Sequence, residues 1–141
     1  MDQSIIFFFA ALIIVGALLL AFISRLTSNT CRKHLNVENY RVKYLSIENQ
    51  LKRDEASSYQ LSVLNADKLV DQALRECGYR GETMGERMKN ANNKFSDNNG
   101  IWNAHKLRNR IAHESDAYVT YDEARYALAG FKKALKDLGA I

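Results

Sequence analysis

Proline does not occur in this chain of 141 residues, and glycine occurs only seven times. Proline breaks helices and builds turns, so its absence leaves helices uninterrupted. Ala, Leu, Lys, Glu and Arg are abundant, and the chain reads as all-α. Only two cysteines occur, Cys31 and Cys77. They match no zinc spacing, and nothing in the sequence favours a disulfide between them. Cys77 closes an apolar helical stripe and reads as a small buried side chain. Gly78, Gly81 and Gly85 do not follow a strand, so no glycine-rich phosphate loop is present. No His/Cys/Asp cluster has metal spacing, no Ser-His-Asp arrangement can be proposed, and no cofactor is called for. There is no internal repeat and no low-complexity tract.

The formal net charge is +4. Residues 25–53 carry Arg25, Arg32, Lys33, Arg41, Lys43, Lys52 and Arg53 against Glu38 and Glu48. Residues 54–141 carry 13 basic and 13 acidic side chains. The C-terminal region therefore has no bulk attraction for a polyanion, and any grip on nucleic acid must be local.

Long uncharged runs are confined to one place. Residues 5–23 read IIFFFAALIIVGALLLAFI, 19 residues without a charge. At 1.5 Å per residue this spans roughly 28 Å, close to a bilayer core. The expectation is a single transmembrane helix within residues 1–24, in contact with the lipid bilayer through residues 5–23. Met1-Asp2-Gln3-Ser4 lacks the basic start of a cleaved signal. Arg25, Arg32 and Lys33 follow the run, which predicts the N-terminus outside and the C-terminal domain cytoplasmic. A single unpolar span argues against a channel or transporter.

Residues 25–54 read as a basic helical linker. Val37, Tyr40, Tyr44, Ile47 and Leu51 step by three and four, forming a seam over about two heptads. The seam either pairs two chains or packs on the domain that follows. Residues 55–141 read as an antiparallel four-helix bundle. The first helix runs 55–77, with Leu61, Leu64, Leu69, Val70, Ala73, Leu74 and Cys77 as its core stripe and Gly78 as its stop. Thr83 to Glu86 has capping-box spacing and opens a short helix to about Asn93. Ser96-Asp97 caps a third helix ending near His113, with Ile101, Trp102, Ala104, Leu107 and Ile111 apolar. Tyr118 and Val119 are expected to turn inward. Thr120 to Glu123 is a second capping box, opening a helix to about Leu138, with Gly139 beyond it.

Arg108-Asn109-Arg110-Ile111-Ala112-His113 places a permanent cation, an amide and an imidazole within one helical segment. Asn109 and His113 are four residues apart and share a face. Arg108 and His113 lie about 140° apart on an ideal helix, so one copy does not bring both to one atom unless the end frays. Two copies facing each other can. Histidine exchanges protons near neutral pH, and arginine grips phosphate oxygens through a planar fork. Such groups can drive attack of a ribose 2′-hydroxyl on the adjoining phosphate without a metal. The products are a 2′,3′-cyclic phosphate and a 5′-hydroxyl, and DNA lacks the nucleophile.

The segment 108–113 resembles the Arg-(four to six residues)-His motif of HEPN domains, in which a polar residue after the Arg is typical. The helices over residues 55–139 also look like that fold. The resemblance implies a homodimer with two motifs at one composite cleft. It implies metal-independent cleavage of single-stranded RNA in active members, often of toxin–antitoxin or antiviral type, with an antitoxin or other protein partner. Arg108 and His113 carry over as catalytic and Asn109 as supporting. His105, Arg110 and Tyr118 are candidate substrate contacts. Many relatives of this fold are inactive or only bind nucleotides or partners. The alternative is therefore a non-catalytic dimeric adaptor or nucleotide-binding module at the cytoplasmic membrane face.

Each of these residues also has an ordinary reading. Arg108 and Arg110 suit a solvated helix face, with Glu114 four residues beyond Arg110 as a partner. His113 suits a helix C-terminus, where a cation meets the dipole. His105 reads as a surface residue one turn from Asn109. Trp102 reads as core, and Tyr121 and Tyr126 as packing side chains. His34 has no identifiable partner.

Overall fold

A computed structural model describes residues 3–141, with the side chains at positions 3–6, 23–30 and 32–34 outside the described set. The expectations for Arg25, Arg32, Lys33 and His34 lie outside it. Among the described residues there are six α-helices and no strand. They are α1 (Gln3–His34), α2 (Val37–Gln50), α3 (Ala56–Glu76), α4 (Met84–Asn90), α5 (Asn98–His113) and α6 (Tyr121–Asp137). A 3₁₀ turn, Asn92–Lys94, follows α4.

The transmembrane expectation is corrected. Among the described residues, no helix is long and apolar enough to cross a membrane. The single-pass topology, N-terminus outside and bundle in the cytoplasm, is withdrawn on this ground.

The seam of α2 is used within the chain. Tyr40, Tyr44 and Ile47 are buried in the same core as α3 and α6. Tyr44 donates its phenol to the Leu128 carbonyl at 2.7 Å. Burial, with Glu48 adding, pushes that phenol above its ordinary range. Lys132 meets Glu48 at 2.7 Å on the rim. Residues 37–50 are thus a packed helix of the fold rather than a free linker.

Helix α3 is central and touches α2, α4, α5 and α6. Its inward stripe is Tyr59, Val63, Ala66, Val70, Ala73 and Leu74. Leu61 does not belong to it and is half exposed, at 50%. It lies two positions from Val63, about 200° around the helix, so it faces outward. The chain leaves α3 through Gly78 at φ +81°, with Tyr79 N–H bonded to the Leu74 carbonyl. That left-handed turn favours glycine.

Cys31 and Cys77 are joined as a disulfide, with their Cα atoms 4.6 Å apart. Cys77, expected as a small buried side chain, is half-buried and takes part in the pairing that sequence spacing allows but does not favour. Its stripe turns it toward the end of α1, which sequence spacing alone does not show.

Helices α5 and α6 cross closely. Gly130 faces the backbone of Gly100, and a Cβ there would stand 2.7 Å from the Gly100 carbonyl oxygen. Asp97 caps α5 by accepting from the Gly100 N–H at 2.8 Å. Thr120 and Glu123 close a reciprocal capping box on α6. Val119 is buried as expected, but Tyr118 is 79% exposed and turns outward.

Candidate functional site

Helix α5 divides its polar residues between two sides. Ile101, Ala104 and His105 pack inward. One helical turn further, Arg108 and Asn109 are half buried, and His113 at the last turn is exposed. His105 is therefore an interior residue rather than a surface one. What holds it is Asp67 on α3, 38 residues away. His105 Nδ1 lies 2.8 Å from Asp67 Oδ1. The other oxygen, Oδ2, lies 3.2 Å from Arg108 Nε. One carboxylate, only 4% exposed, thus fixes two side chains of the candidate site. Arg108 also donates from Nη1 to the Asn109 side-chain carbonyl at 3.0 Å.

A second ion-pair cluster lies beside this one. Arg87 of α4 is buried and donates from Nε to Asp71 at 2.7 Å, and also to the Gly81 carbonyl. Asp71 takes Arg75 as well, at 2.7 Å. A buried guanidinium needs this degree of pairing. The local sequence explains its position: Met84, Arg87 and Met88 form the inward side of α4. Thr83 starts that helix by accepting from the Glu86 N–H at 3.2 Å.

Between α3, α4 and α5 lies a cleft of about 760 Å³. His105, Arg108, Asn109 and His113 all line it. Its charged walls are Lys68, Arg75, Arg87 and Arg108 against Asp67, Asp71 and Glu82. Four cations thus face three carboxylates, with Arg75 and Arg87 paired to Asp71 and Arg108 to Asp67. Ideal helix geometry separates Arg108 and His113, yet one copy gives both to one cleft.

Arg110 goes elsewhere. Its guanidinium meets Glu123 at 2.7 Å and the Tyr118 carbonyl at 3.3 Å. The expected Glu114 partner is replaced by Glu123, which α6 presents across the connection. Arg110 lines a separate groove of about 660 Å³ between α5 and α6, with Tyr126 and Lys133. Tyr118 lines neither cavity. Trp102 stands edge-on to His105, 6.2 Å between ring centres. Tyr121 packs against Tyr59 and under Arg53. Among the described residues, no group of three or more side chains could hold a metal ion.

Sequence reasoning found the cleft's α5 residues and missed Asp67, Asp71 and Arg87. A signal for Asp67 was present. It lies four residues after Val63 and three before Val70, on the buried stripe, where a carboxylate demands a partner. Compared with known protein families, curated proteins and solved structures, the chain matches none.

Proposed function

We propose that the chain is a HEPN-like helical-bundle protein acting as a metal-independent endoribonuclease on single-stranded RNA. The observation that carries this reading is the shared cleft. Arg108, Asn109 and His113 line one cavity, and His113 is exposed rather than packed inside the bundle. Arg108 grips the phosphate and stabilises charge on the pentacovalent transition state. His113 exchanges a proton with the reacting ribose or the leaving 5′-oxygen. Asn109 holds the Arg108 guanidinium. Two copies bring their clefts together, as the resemblance implies.

The test is cleavage of a single-stranded RNA by the purified full chain in EDTA, with 2′-deoxy RNA as control. Cleavage yields 2′,3′-cyclic phosphate ends, and His113→Ala slows it by about 10²-fold or more. Undiminished cutting by pure His113→Ala removes that imidazole from the chemistry.

A non-catalytic nucleotide- or partner-binding module is the second reading. It is favoured by the pairing of Arg75, Arg87 and Arg108 with carboxylates inside the fold. Under it, the wild-type chain cuts no RNA, and calorimetry with mononucleotides separates its two forms.

A further inference from the structure

The Asp67–His105 pair ties α3 to α5 and also stands on the wall of the cleft. An ionised Asp67 accepts from Nδ1–H, so the neutral His105 ring carries its lone pair on Nε2. The Nε2 end of the ring lies beside Gly85 of α4, where a Cβ would stand at an ordinary contact distance of 3.9 Å. His105 lines the same cleft as Arg108 and His113.

We infer that His105 is a second acid–base group of this cleft, with Asp67 as its positioning residue, acting on the ribose-phosphate of an RNA strand. The inference rests on the nuclease reading. In the forward step, His105 Nε2 takes the proton of the 2′-hydroxyl. The 2′-oxygen forms a bond to phosphorus, and the bond from phosphorus to the 5′-oxygen breaks. His113 gives its proton to that departing oxygen. The phosphate keeps its charge as a 2′,3′-cyclic diester, and no co-reactant is needed. Arg108, fixed by the same carboxylate as the base, neutralises the phosphate between the two rings. A single copy then holds base, acid and cation, where the 108–113 segment alone offers one imidazole.

The decisive variant is His105→Gln. The glutamine amide can still donate to Asp67, so the link between α3 and α5 is retained, but it cannot accept a proton. The expected result is a fall in kcat of about 10²-fold or more, with KM and the melting temperature close to wild type. A spectroscopic arm uses the ¹⁵N signals of the histidine rings. The His105 ring shows the Nδ1–H form in wild type and loses that preference in Asp67→Asn. Its Nε2 signal shifts when an uncleavable 2′-deoxy oligonucleotide binds. Wild-type kcat in His105→Gln, or a His105 ring indifferent to the oligonucleotide, overturns the assignment while leaving the nuclease reading intact. A wild-type chain that cuts no RNA overturns both.

Discussion

Glu123 illustrates what a single side chain does here. It accepts from the Thr120 backbone N–H at 2.9 Å and from Arg110 at 2.7 Å. The backbone hydrogen bond, then the Arg110 guanidinium, hold its carboxyl below the ordinary glutamate range. A carboxylate depressed in the folded state adds stability that is present above its unfolded value. That stability is lost as pH falls through the folded value. Glu123→Gln keeps an oxygen that can accept from the Thr120 N–H and removes the charge. The gap in urea midpoint between wild type and Glu123→Gln should be full near neutral pH and shrink toward zero in acid. A gap independent of pH would contradict the ion-pair account. Asp67 is the sharper case at the same scale. Buried carboxylates are costly unless both oxygens are used, and here His105 and Arg108 use both.

Among the helices, α5 and α6 depend on a close approach. Gly130→Ala sets a methyl group 2.7 Å from the Gly100 carbonyl oxygen, inside van der Waals contact. The obstacle is backbone, so relief requires the helices to separate. Chemical denaturation should show a loss of about 1–3 kcal/mol, the range for overpacking. An unchanged midpoint would mean that the crossing has slack. Helix starts and stops were legible because they are local. Asp97 and Thr120 act as caps, Thr83 begins α4, and Gly78 ends α3. The stripe of α3 was legible only in part. Leu61 satisfied an apolar pattern without facing the core, because exposed leucines are common and carry no phase information. The destination of α2 was also open, since a short seam looks the same whether it meets another chain or its own. Arg110 was assigned the neighbour four residues on, and the chain supplied Glu123 through a turn instead.

Over the whole chain, long-range pairings were the part least visible in sequence. Asp67 with His105, Tyr44 with the Leu128 carbonyl, and Cys31 with Cys77 join residues 38, 84 and 46 positions apart. Sequence patterns report faces, not which face meets which. The disulfide has a measurable consequence. Closing a loop across 46 residues restricts the unfolded chain, worth about 4 kcal/mol in the chain-entropy account. Reduction, or Cys77→Ser, should lower the melting temperature of the oxidised protein by several degrees. Thiol titration of the denatured oxidised chain should find no free sulfhydryl. Packing of α2 carries a different consequence. Tyr40, Tyr44 and Ile47 have no surface left to offer. Twin molecules meeting through that seam would first have to tear the helix from its own body. Any handshake between copies is therefore steered to other faces, among them the one where α5 runs out and His113 stands in the open.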